Sequence, residues 1–177
     1  MRNHRVTGKK VAYLGIFASL AILFGYIETL IPFPFGIPGM KLGLANIMTV
    51  TILYLFGTKE AAAVSAVRIL VVSMLFGSLY SMLYSLAGAV LSLIMMLLMK
   101  KVKQFSITGI SIGGGIAHNI GQIFVAVLVV SEIRLTSFVP FLIISGAGTG
   151  LLNGIISKIL VQRLQNTSIT TGMEGHI

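Results

Sequence analysis

The sequence predicts an all-α integral membrane protein, a bundle of six transmembrane helices with both termini in the cytoplasm. Composition is the first reason. Of 177 residues, 56% are hydrophobic and 10% charged, and mean hydropathy is +1.00, whereas soluble domains carry about 25% charged residues. The second reason is segmentation. Apolar runs cover roughly 11–31, 42–57, 60–79, 82–99, 108–131 and 138–161, and about 20 apolar residues cross the ~30 Å hydrocarbon core as a helix. The third is charge placement. With a cytoplasmic N-terminus, ten basic residues fall on the inner side, namely Arg2, Arg5, Lys9, Lys10, Lys59, Lys100, Lys101, Lys103, Lys158 and Arg163. The outer side receives only Lys41 and Arg134, which is the bias of the positive-inside rule.

The same composition excludes several chemistries. There is no cysteine, so disulfides, thiolate catalysis and iron–sulfur clusters are ruled out. There is no aspartate and there are only four glutamates. Prenyl transfer, polymerisation and P-loop ATP hydrolysis rely on aspartate to hold magnesium. The expectation is a protein that is not an enzyme and holds no cofactor and no metal. The net charge of +9 reflects loop charges at a membrane surface, so no nucleic-acid partner is expected.

The first segment follows a basic start, as a signal peptide would. It is too long for such a peptide, contains Glu28 and ends in proline-rich sequence, so it reads as a retained span. It carries two small-xxx-small pairs, Gly15/Ser19 and Ala21/Gly25, which allow close helix approach in lipid or an outward docking face for another subunit. Glu28 near its end has two open roles: contacting a ligand amine or hydroxyl, or tethering Lys41 or Arg68. After it comes Pro32-Phe-Pro-Phe-Gly-Ile-Pro-Gly-Met-Lys41, with three of the four prolines in the chain. So stiff a connection predicts a lid that delivers Lys41 and Asn46 to the mouth of the next span.

The second span is the shortest, with little tilt or a partly re-entrant path. Mid-span Arg68 is the costliest residue in the chain, at about 2.5–3.5 kcal/mol on insertion scales. It is either an anion ligand, through its planar fork, or half of an internal ion pair. Tyr80 and Tyr84 sit at the outer junction of the third and fourth spans, as interfacial anchors or as rings that stack on a ligand. His118, Asn119 and Gln122 cluster on the fifth span and suggest a polar pocket wall, with interhelical bonding as the plainer reading. Gly113-Gly114-Gly115 lacks the strand and the Lys-Ser/Thr of a phosphate loop. Gly146, Gly150 and Gly154 repeat every four residues on the sixth span and predict tight helix packing. One domain, 1–164, is expected, followed by a polar tail, 165–177, that is frayed.

The run Glu28-Thr-Leu-Ile-Pro32-Phe-Pro34-Phe-Gly36-Ile-Pro38-Gly39-Met-Lys41-Leu-Gly43-Leu-Ala45-Asn46 resembles the Gx transporter family. Members are often labelled heptaprenyl diphosphate synthase component I. Together with the short six-span layout, it also resembles the substrate-binding S components of energy-coupling factor (ECF) transporters. The resemblance implies a bacterial plasma-membrane subunit that binds its substrate in an outward cavity beneath the loop after helix one. Such a subunit docks through small residues of helix one on a transmembrane coupling subunit driven by two cytoplasmic ATPases. Here those positions are Gly15, Ala18, Ser19 and Ala21, although Ala18 is followed four residues later by Ile22 rather than by a second alanine.

The expected function is therefore capture of a small vitamin-like or isoprenoid-like molecule on the outer side, for uptake powered by partner subunits. Lys41, Asn46 and Arg68 face its polar or anionic head, His118, Asn119 and Gln122 orient it, and Tyr80 and Tyr84 cover its body, with Glu28 close by. The alternative is a non-transporting membrane subunit of an isoprenoid- or quinone-linked enzyme or of a flavin-linked electron-transfer system. Vitamins, nucleosides, flavin phosphates and prenyl phosphates all suit such a cavity.

Overall fold

The computed structural model describes residues 2–31, 41, 43–102 and 104–166, with side chains from residue 8 onward. The proline-rich lid segment 32–40 and the tail beyond 166 lie outside the described residues. The elements are α1 (Arg2–Leu30), α2 (Asn46–Leu55), α3 (Thr58–Phe76), α4 (Leu79–Lys101), α5 (Ile107–Val130), a 3-10 turn (Ile133–Phe138) and α6 (Val139–Gln165). No described residue lies in a strand.

Local chemistry sets the boundaries. Ser78 caps α4 by accepting from the Ser81 amide at 3.2 Å, and Ser106 caps α5 through the Gly109 amide at 3.1 Å. Gly57, at φ +106°, separates α2 from α3 in a conformation that a side chain would strain. Pro140 lies in the first turn of α6, where its missing N–H costs nothing. The last turn of α4 carries Lys100 and Lys101, favourably placed at the negative end of the helix dipole.

Four helices are long and apolar enough to cross a membrane: Gly8–Leu30 of α1, α4, α5, and α6 together with the turn before it. Two of the six expected spans, those of α2 and α3, are not among these four. α2 has ten helical residues, about 15 Å of rise, which is half the hydrocarbon core. Its apolar character serves the protein interior instead, since eight of its ten residues are buried. α3 has 19 residues but carries Lys59, Glu60 and Arg68. α1 begins among its basic residues and α6 runs on to Gln165, so both exceed the apolar runs.

The six α-helices pack into a bundle. At one end Lys10 of α1 pairs with Glu60 of α3. At the same end Lys100 of α4 donates to the Leu53 carbonyl at 3.2 Å and lies 4.7 Å from the centre of the Tyr54 ring. That end therefore holds the start of α3 and the close of α2 and α4. α2 is central, packing on α6, α3 and α1. Ile47, Met48, Val50, Ile52 and Leu53 of α2 form the main core with Phe17, Ala21, Ala61, Val64, Met96 and Ile110.

The α4–α5–α6 side is held by glycine. A Cβ on Gly115 would stand 2.3 Å from the Gly146 carbonyl oxygen, one on Gly150 would stand 2.7 Å from Ile112 Cα, and one on Gly154 would stand 2.7 Å from Thr108 Cα. The backbones of α5 and α6 thus touch along the whole stripe, the arrangement that favours association where no hydrophobic effect acts between helices.

Candidate binding site

Immediately before α2 the described backbone, at Lys41 and Gly43–Ala45, is not helical. Gly43 and Ala45 are buried there. Irregular backbone that is buried needs partners from the rest of the protein, and here three helices supply them. From α1, Glu28 Oε1 accepts from the Leu44 amide at 2.6 Å. From α6, Asn153 Nδ2 donates to the Gly43 carbonyl at 2.8 Å. From α5, Gln122 Oε1 accepts from the Lys41 amide at 3.4 Å. Ser157 of α6 adds a bond to the Ile47 carbonyl at 3.0 Å, inside the first turn of α2.

Gly43 is the pivot of this latch. It sits at φ +86°, and a Cβ there would come 3.2 Å from Asn46 Nδ2 and 3.4 Å from the His118 ring. The left-handed backbone brings the segment against α5 in a way that an L side chain would oppose.

His118 extends the network. Gln122 Nε2 lies 3.1 Å from His118 Nε2. Because Gln122 Oε1 already accepts from Lys41, its amide nitrogen is the donor, and His118 carries its proton on Nδ1. That Nδ1 faces the backbone of Gly88 in α4 without the alignment of a hydrogen bond. A Cβ on Gly88 would come 2.8 Å from it.

Beside the latch lies a set of buried polar atoms with no hydrogen-bond partner among the described residues: Glu28 Oε2, Asn46 Nδ2, Arg68 Nε, His118 Nδ1 and Asn153 Oδ1. Each such group costs about 1–3 kcal/mol when left dry. Arg68 is 5% exposed and Glu28 is 4% exposed. They attract one another electrostatically, yet form no direct ion pair among the described residues, because Glu28 Oε1 is turned to Leu44. Lys41 is half-buried at the rim, near the charges of both Arg68 and Glu28.

Of the residues expected at the site, Glu28, Lys41, Asn46, Arg68, His118 and Gln122 come together here. Asn119 turns away and donates to the Leu142 carbonyl at 2.9 Å, tying α5 to α6. The two tyrosines part company: Tyr84 is buried with Ile123, Ala126 and Leu142, while Tyr80 is 57% exposed on the outside of α4. Asn153, next to Gly154 in the α6 stripe, is the latch residue that was missed. Its signal was available, as the one amide on a stripe otherwise made of Ser145, Gly146, Thr149, Gly150 and Gly154. On α1, Gly15 and Ser19 are exposed and Gly15 has open space beside it. Ala18 is half-buried, and Ala21 is buried in the main core, so these four positions do not share one outward face. Among the described residues no group of three His, Cys, Asp or Glu side chains is arranged to hold a metal.

The fold and the site define a multi-pass helical membrane protein with a charged interior. A family model for heptaprenyl diphosphate synthase component I matches residues 17–160. The chain belongs to that family, the one whose lid signature Glu28–Asn46 was read above. No curated protein and no solved structure matches the chain.

Proposed function

We propose that the chain is the membrane-embedded binding subunit of an uptake system, similar to the S components of ECF transporters. It captures a small vitamin-like or isoprenoid-like molecule from the outer side of the bacterial plasma membrane. All six passes traverse the bilayer, α2 through its helix and the latched backbone above it, with both termini inside. The single observation that supports this reading is the broken second pass. Buried non-helical backbone, held by Glu28, Gln122 and Asn153 and adjoining Arg68 Nε and Asn46 Nδ2, which have no hydrogen-bond partner among the described residues, is the kind of arrangement by which transporters build midplane sites. Intramembrane charge is a site by default.

The chain is not itself an enzyme in this reading, and energy comes from a transmembrane coupling subunit and cytoplasmic ATPases. Native mass spectrometry of the protein extracted gently from its own membranes tests it. A bound small molecule with copurifying ATPase subunits is the expected result. An empty chain bound to a soluble synthase or redox protein overturns it.

The family description favours one second reading, a membrane component of a prenyl synthase complex. With no aspartate in the chain, the magnesium and diphosphate chemistry would then belong wholly to the partner.

A further inference from the structure

The charge balance of the site selects among ligand classes. Arg68 and Lys41 bring two cations, and Glu28 is the sole carboxylate in the first 59 residues. The other described carboxylates are committed elsewhere: Glu60 pairs with Lys10 at the far end of the bundle, and Glu132 lies on the surface 3.9 Å from Arg134. His118 is the proton-on-Nδ1 imidazole, because Gln122 donates to its Nε2. The site is thus left with one positive charge in excess, and the guanidinium that carries it is 95% buried with its Nε unpartnered.

We propose that this site takes a monoanion, a molecule with one carboxylate or an equivalent single-charge head, and that Arg68 binds that head. The proposal rests on the binding reading above and sharpens it.

A single carboxylate brings the buried cluster to neutrality and gives Arg68 the planar acceptor that its fork matches. A neutral ligand leaves the guanidinium uncompensated in a dry interior, which is costly. A phosphate monoester carries about −1.5 to −2 charges at neutral pH and would leave the cluster net negative beside Glu28. A diphosphate would leave it more so. The diphosphate in the family's description is therefore the wrong head group for this cluster of charges. Glu28 itself is held by the Leu44 amide, so it is not free to move over and quench Arg68 without releasing the latch. Asn46 Nδ2, a donor with no partner among the described residues, supplies a further hydrogen bond to an oxyanion and none to a cation.

The test is to extract the full chain gently into lipid nanodiscs, release the copurifying small molecule and read its acidic groups by tandem mass spectrometry. The wild-type protein is compared with Arg68→Gln and Arg68→Lys. Expected is a ligand with one acidic group, at least tenfold depleted in Arg68→Gln, which leaves the site without net charge, and retained in large part in Arg68→Lys, which keeps it. The ligand's mass tells a bilayer fatty acid from a water-soluble carboxylate, and either supports the proposal. A neutral ligand, a phosphate monoester or a diphosphate overturns the charge assignment while leaving the binding reading intact. So does unchanged occupancy in Arg68→Gln. A chain that is empty in all forms overturns the binding reading itself, and the assignment with it.

Discussion

The α5–α6 contact and the outer face of α1 use the same sequence device and put it to opposite ends. Both carry small residues four apart. On α6, Gly146, Gly150 and Gly154 lie against the α5 backbone so closely that each added Cβ would come within 2.7 Å of a heavy atom. On α1, Gly15 has nothing within 4 Å, and its partner Ser19 spends its hydroxyl on the Gly15 carbonyl at 3.0 Å. Further along α1, Gly25 belongs to the first kind again, with its missing Cβ 3.0 Å from Val72 of α3. Spacing establishes that two helices are able to approach; only the fold shows whether one has.

The strongest way to break the comparison is Gly115→Leu. The first added carbon would meet a backbone carbonyl oxygen at 2.3 Å, and backbone does not swing aside as a side chain does. The expected cost is about 3 kcal/mol, the upper end for overpacking, with loss of the folded species in a thermal or SDS-unfolding assay. A variant as stable as wild type would mean that α5 and α6 do not pack at backbone distance.

Second in size is Asn153→Ala. It leaves the buried Gly43 carbonyl with only the Asn46 amide, 3.0 Å away, as its partner. A loss of about 1–2 kcal/mol follows from removing one side of a buried hydrogen bond. The sharper readout is local: hydrogen exchange at the Leu44 and Asn46 amides should quicken while exchange in α5 stays unchanged. Uniform quickening would make Asn153 a global packing residue rather than a latch.

Gly25→Ala comes third. Its neighbour is the end of a valine side chain, with the Arg68 stem at 3.6 Å, so a shift of a few tenths of an ångström relieves it. The helix gains about 0.5–1 kcal/mol from replacing glycine, which offsets much of the crowding. The expected net change in stability is under about 1 kcal/mol, small against Gly115→Leu. An effect as large as that of Gly115→Leu would show that α1 and α3 are also joined at backbone distance.

These contrasts mark what the sequence could carry. The helical class, the four long apolar helices and the buried polar residues of α3 and α5 were all legible, because membrane insertion writes hydropathy and cost directly into residue type. The nature of the second pass was not. An apolar run buried in protein and one buried in lipid have the same composition, so Asn46–Leu55 looked like a short span although it is the central core helix. The latch was hidden for a related reason. Glu28, Gln122 and Asn153 act on backbone amides and carbonyls 16, 81 and 110 positions away, and backbone groups leave no mark in the sequence. Tyr80 and Tyr84, four apart on one helix, separate into exposed and buried because the α4 N-terminus ends at the edge of the bundle. Residue type showed which side chains were expensive, and three-dimensional context showed which of them had already found partners.

The smallest expected effect on stability is also the most telling for function. Gly15→Leu fills open space on α1, so folding should change by less than about 0.5 kcal/mol, as at other surface positions. Ligand occupancy should not change either, since Gly15 stands far along α1 from Glu28 and Arg68. Yet if α1 docks on a coupling subunit as the binding reading requires, a leucine there holds the two helices apart by the width of its side chain. Copurification with that subunit should then fall by tenfold or more, the equivalent of about 1.4 kcal/mol. Ala21→Leu is the matched control. Ala21 is 2% exposed in the main core, so its enlargement should act on folding and reach docking only through it. Normal copurification of Gly15→Leu would leave the open small face of α1 without a role in assembly, and lipid as its only neighbour.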